Sequence, residues 1–116
     1  MITGAHLMIY DKNADALRLF FRDVLEFPAV DAGDGWLIMK LPPAEVGVHP
    51  TESAEGSAEL YLMCDDLRAT MAMLAVKGVS CGPVQSVGWG ELTTLEAPGG
   101  RKIGLYQPRH AVAHSL

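Results

Sequence analysis

The chain is one pattern written twice. GAHLMIYDKN, residues 4–13, lies over SAELYLMCDD, residues 57–66, which sets His6 over Glu59. EVGVHP, residues 45–50, lies over KIGLYQP, residues 102–108, which sets Gly47 over Gly104 and His49 over Tyr106. DGWLIMKL lies more loosely over WGELTTLEAP. A period of roughly half the chain marks a duplicated module, so whatever one half folds into, the other is expected to resemble.

Within each half the expected order is β-α-β-β-β. HLMIY, His6 to Tyr10, is the first strand. DKNADALRLFFRDVLEF follows as a helix: Leu17, Phe20, Phe21, Val24 and Leu25 recur at helical spacing, Asn13 or Asp11 can cap it, and Pro28 stops it. AVDAGDGWLIMKL reads as two strands about an Asp34-Gly35 turn, and Glu45 to His49 as a short strand fenced by prolines. TESAEGS, residues 51–57, is a polar linker. In the second half ELYLMC is a strand and DDLRATMAMLAVKG a helix, with Asp65 or Asp66 at its cap and Gly78 at its end. VSCGPVQSVGWGELTTLEAP offers two more strands, and GRKIGLYQP the last. The expected fold class is α+β: two βαβββ modules whose sheets combine into one curved, cup-like mixed sheet with the helices outside. One domain covers residues 1–116, with module one at about 1–50, the linker at 51–57, module two at about 58–108 and a tail at 109–116.

Size and charge exclude several classes. A chain of 116 residues can build one core without disulfide staples. Nine basic residues against fourteen acidic give a net charge of −5, and with no basic cluster nucleic acid is a poor partner. No apolar run approaches the ~20 residues of a membrane span, and MITGAHLMIYDKN lacks the regions of a signal peptide. Cys64 and Cys81 are expected as free thiols in a reducing cytoplasm. There is no phosphate loop, dinucleotide fingerprint or nucleophile elbow.

Strand alternation sorts the remaining polar residues. His6, Met8 and Tyr10 share one face, opposite Leu7 and Ile9; Glu59, Tyr61 and Met63 share one, opposite Leu60, Leu62 and Cys64. Val46, Val48, Ile103 and Leu105 are expected to meet the helices, leaving Gly47, His49, Gly104 and Tyr106 on the mixed face. The rule gathers His6, His49, Glu59 and Tyr106 on one concave surface. Glu59 heads an apolar strand and needs a partner there, because burying an unpaired carboxylate is costly. Trp36 and Trp89 read as core or pocket lining. His110 and His114, four apart in the tail, have no matching carboxylate, and Arg109 reads as an exposed tail residue.

Two βαβββ modules, a histidine on the first strand and a terminal APGGRKIGLYQP resemble the vicinal oxygen chelate superfamily, which holds glyoxalases, extradiol dioxygenases, epimerases and bleomycin-binding proteins. The likeness runs from His6 to Pro108. It implies a metal site drawn from the first and last strands of both modules. This sequence matches at His6, carries Glu59 where a histidine is common, and carries Gly104 and Gly47 where glutamate is usual. The resemblance therefore implies His6, His49 and Glu59 as ligands of a divalent ion (Zn, Fe(II), Ni or Mn), with Tyr106 as a further contact or proton carrier and Trp36, Tyr61 and Trp89 lining the substrate pocket. Two functions follow as expectations. One is a metal-dependent lyase, isomerase or dioxygenase acting on a small oxygen-chelating molecule. The other is a metal-free, drug-sequestering binding protein, which the glycines at ligand positions and the aromatic residues of the cup favour. By the same analogy the protein is expected to be a homodimer with a small-molecule partner.

Overall fold

The structure, a computed structural model, describes residue 1 and residues 4–116. The second half builds a complete β-α-β-β-β unit. Strand β3 (Tyr61–Met63) leads into helix α2 (Leu67–Val76), followed by β4 (Gln85–Val87), β5 (Gly90–Glu96) and β6 (Lys102–Pro108). These strands form one sheet in the order β3-β6-β5-β4. β3 runs parallel to β6, while β4–β5 and β5–β6 are antiparallel.

Helix α2 is bounded as the sequence requires. The Asp66 carboxylate accepts from the Ala69 amide at 3.0 Å, satisfying a donor that the first turn leaves free. At the other end Gly78 takes φ 81°, and the amides of Gly78 and Val79 donate to Ala75 and Leu74 at 3.0 and 2.9 Å. This pair of hydrogen bonds satisfies two of the last carbonyls, and a side chain at Gly78 would strain the turn. Leu67 and Leu74 on its inner face are buried against Ile103 and Leu105 of β6 and Leu95 of β5.

The first half contributes less regular structure. Helix α1 (Ala14–Leu19) continues into one π-helical stretch (Phe20–Val24), in which the Leu25 amide reaches back five residues to the Phe20 carbonyl at 3.1 Å. Successive residues of an α-helix point about 100° apart. The wider turn lets both Phe20 and Phe21 enter the core. The helix closes at Glu26, φ 61°, two residues before the expected stop at Pro28. Strands β1 (Ala29–Asp31) and β2 (Leu37–Met39) form the expected hairpin. Asp34 and Gly35 both take positive φ, and the Asp31 carboxylate binds the amides of Gly33 and Gly35.

Two expected strands are not formed. His6–Tyr10 and Glu45–His49 run without ladder partners, and Val46 and Val48 are 89% and 94% exposed where burial was expected. A strand exists only with a partner, and by the repeat these two would pair with each other as β3 pairs with β6. Prolines 42, 43 and 50 further remove backbone donors around the second segment. The strands fall into a two-stranded sheet, β1-β2, and the four-stranded sheet of the second half. Ile9 alone of the first segment's face packs on the core, and Asp11 ties that segment to the PGGR turn through a 2.6 Å ion pair with Arg101, whose guanidinium also reaches the Tyr10 carbonyl. Among the described residues no helix is long and apolar enough to cross a membrane.

Candidate functional site

The sheet of the second half divides its faces as strand alternation requires. Leu60, Leu62 and Cys64 pack toward the core with Ile103 and Leu105. The opposite face carries Tyr61 from β3, Tyr106 from β6 and Trp89 from the β4–β5 turn. Their rings meet edge to face: Trp89 and Tyr106 at 5.1 Å and 83°, Tyr61 and Tyr106 at 6.0 Å and 87°, Tyr61 and Trp89 at 6.3 Å and 89°. Such geometry suits the ring quadrupoles. Tyr106 is buried, whereas Tyr61 and Trp89 remain 41% and 43% exposed. The result is an aromatic wall, buried at its base and exposed at its rim.

Gly104 explains how the wall forms. It is the residue paired with Tyr61 across β3 and β6. A Cβ at Gly104 would stand 2.6 Å from Cε1 and 3.0 Å from Cγ of Tyr61, and nearer still to Cδ1. The phenol ring therefore lies down over the glycine and fills the space that a side chain would need. At the last-strand position where the resemblance implies a carboxylate ligand, this chain has a ring.

Carboxylates flank the wall. The Tyr61 phenol is pushed above its ordinary value, first through hydrogen bonding of its hydroxyl to Glu59 and then by burial. Glu59 itself is exposed just before β3, so its carboxylate does not need a buried partner. Tyr106 is pushed up by burial and, secondarily, by the negative charge of Glu45. Its hydroxyl stands 3.3 Å from Nε2 of His110, whose Nδ1 is 2.9 Å from the Ala111 carbonyl oxygen. A phenol held protonated can donate a hydrogen bond but is poorly suited to act as a base.

The residues implied as metal ligands are not gathered into one cluster among the described residues. His6, His49 and Glu59 are all exposed. Nδ1 of His49 is 2.7 Å from the carbonyl oxygen of Pro50, directing that nitrogen to its own backbone. Among the described residues no three histidine, cysteine, aspartate or glutamate side chains converge. Trp36 is placed apart from the wall's ring pairs: it sits at the β1–β2 hairpin with the Arg18 guanidinium 4.3 Å over its ring. Both thiols are free and pushed up mainly by burial, the opposite of activation. Two residues expected to be plain tail residues stand beside the wall, His110 against Tyr106 and Arg109 across the Trp89 hairpin. His110, an even number of residues beyond Tyr106, carried a signal in its spacing, whereas Arg109 carried none.

No protein-family model matches the chain, and no curated protein sequence matches it. Solved structures do. The antibiotic-binding protein TnmS3 from Streptomyces sp. CB03234 superposes with a TM-score of 0.67 at 25% identity, over 92% of this chain and 97% of that one. A lactoylglutathione lyase from Agrobacterium tumefaciens gives a TM-score of 0.65 at 14% identity, over 90% and 92%. A glyoxalase/bleomycin resistance protein, also from Streptomyces sp. CB03234, gives 0.57 at 25%, over 83% and 92%. The chain has the fold of the glyoxalase, bleomycin-resistance and dioxygenase proteins, which is that of the vicinal oxygen chelate superfamily.

Proposed function

We propose that this protein binds a flat aromatic small molecule on the Tyr61–Trp89–Tyr106 wall and sequesters it without a metal ion. The observation that carries this reading is the Tyr61 ring lying over Gly104. That one pair removes a carboxylate from the metal position and supplies an aromatic surface in its place. Glu59 beside Tyr61 and Glu45 acting on Tyr106 favour a ligand that also bears positive charge. The likeness to an antibiotic-binding protein supports binding over turnover. Free thiols at Cys64 and Cys81 support a reducing, cytoplasmic setting.

Proflavine, a planar cation, tests the reading. Titration is expected to show saturable binding, weakened by about fivefold to a hundredfold in Trp89→Ala and Tyr61→Ala, since one stacking face is worth about 1–3 kcal/mol. Absence of binding would refute the proposed site. Stoichiometric divalent metal in untagged protein, lost in both His6→Ala and Glu59→Ala, would establish the metal-enzyme reading instead.

A homodimer goes with this reading. β3 is an edge strand, and the chain leaves Val46, Val48 and half of Met8 exposed in segments with strand alternation. Such an edge and such segments favour pairing with a second copy. Sedimentation equilibrium is expected to give the dimer mass; a monomer at all concentrations refutes it.

A further inference from the structure

The geometry points to Arg109 as the positioning residue of Trp89, setting the angle and depth of the aromatic wall. Gly88 and Trp89 are the two residues linking β4 to β5, since Val87 pairs directly with Gly90. Two-residue hairpin turns match the twist of their strands when the first or both linking residues take positive φ. Neither Gly88 nor Trp89 does. A turn of this kind splays its strands and does not by itself fix the indole at its tip.

Arg109 supplies what the turn lacks. Its amide donates to the Trp89 carbonyl at 2.9 Å. Its guanidinium donates to the Val87 carbonyl at 2.6 Å and to the Ser86 hydroxyl at 2.7 Å, and lies 3.6 Å from the Glu91 carboxylate. One residue thereby grips both strands and the tip of the hairpin. The rigid fork of a guanidinium reaches two acceptors at once, which a lysine ammonium on its flexible stem does less well. Gly90 brings β5 close to the end of β6 from which Arg109 emerges: a Cβ there would stand 2.5 Å from the Gln107 carbonyl oxygen. The same stretch, Tyr106 to Arg109, thus provides the base of the wall and the clamp for its outer ring. Ligand binding would then depend on a residue that need not touch the ligand.

The assignment deepens the binding reading and rests on it for its ligand arm alone. The test uses the Trp36→Phe protein, in which Trp89 is the only tryptophan. In that protein Arg109→Ala is expected to abolish most of the near-ultraviolet circular dichroism of Trp89 and to raise its quenching by acrylamide. Far-ultraviolet spectra should stay unchanged. Arg109→Lys should restore part of the signal and Ser86→Ala should lose part of it. Proflavine affinity is expected to fall about tenfold in Arg109→Ala with the same rank order. Unchanged Trp89 circular dichroism and quenching in Arg109→Ala would overturn the assignment, whatever proflavine does. Lost dichroism supports it even where proflavine fails to bind, an outcome that instead counts against the binding reading.

Discussion

Replacing Gly104 by alanine is the sharpest single test of the site. Gly104 does not take positive φ, so alanine can adopt its backbone, and on that ground alone the change would stabilise by about 0.4–1 kcal/mol through the unfolded state. Against this stands a Cβ 2.6 Å from Cε1 of Tyr61, where carbon atoms prefer about 3.5–4 Å. The ring must move by an ångström or more. Tyr61 is at the rim and can swing outward, so the cost falls below that of a locked core clash. It then loses its edge contacts with Trp89 and Tyr106, each worth about 0.5–1.5 kcal/mol. The net expectation is a destabilisation of about 0.5–2 kcal/mol in urea denaturation, with proflavine binding weakened in parallel. Tyr61→Ala removes the ring that clashes, so adding Gly104→Ala to it should be neutral or stabilising. The coupling in that double-mutant cycle, about 1–2 kcal/mol, isolates the pair from general strand effects. Gly90→Ala serves as a contrast: it meets backbone at Gln107, and Tyr61→Ala should not relieve it. A Gly104→Ala protein more stable than wild type, or one whose cost persists in Tyr61→Ala, would refute the packing argument.

Other expectations follow from separate parts of the fold. Phenolate absorbance should show Tyr61 and Tyr106 ionising above the ordinary tyrosine value of 10.0, and Glu59→Gln should lower the Tyr61 transition alone. Because both folded values are raised, their contribution to stability is full below that value and is lost as pH rises through the folded ones; stability curves in alkali check the sign. Asp11 has the opposite sense: its hydrogen bond with Arg101, then that from the Asn13 amide, hold its carboxyl below the ordinary 3.8. Its contribution is therefore full above that value and lost as pH falls toward the folded one, and Arg101→Ala should flatten the acid limb of the stability profile. Asp66→Ala removes the α2 cap and is expected to cost about 1 kcal/mol in urea denaturation, whereas Asp66→Asn should retain most of it.

What the sequence revealed divides along a physical line. Signals that act within a few residues were legible: Asp66 and Gly78 bounding α2, the Asp34-Gly35 turn, and the alternation that puts Tyr61 and Tyr106 on one face with Leu60, Leu62 and Cys64 on the other. Strand formation depends on a partner far along the chain, and alternation cannot say whether one is there. HLMIY and EVGVH alternate as well as ELYLMC does, yet only ELYLMC finds β6 beside it. Trp36 was grouped with Trp89 by residue type, whereas its ring partner is Arg18 on the preceding helix. Arg109 read as a solvated tail because a guanidinium bonding to backbone carbonyls leaves no pattern in sequence.

Glycine at 104 is where the sequence reading was most incomplete. Read along the chain it is a missing carboxylate; read across the sheet it is the floor under Tyr61. The repeat partner Gly47 makes the difference plain, since a Cβ there would meet nothing within 4 Å. The two glycines occupy matching places, yet only one is required by packing. A side chain reaching out from 104 toward a metal would displace the ring that closes the wall. Carboxylate and wall are therefore alternatives at this position, and one pair of residues decides which chemistry this half of the fold can support.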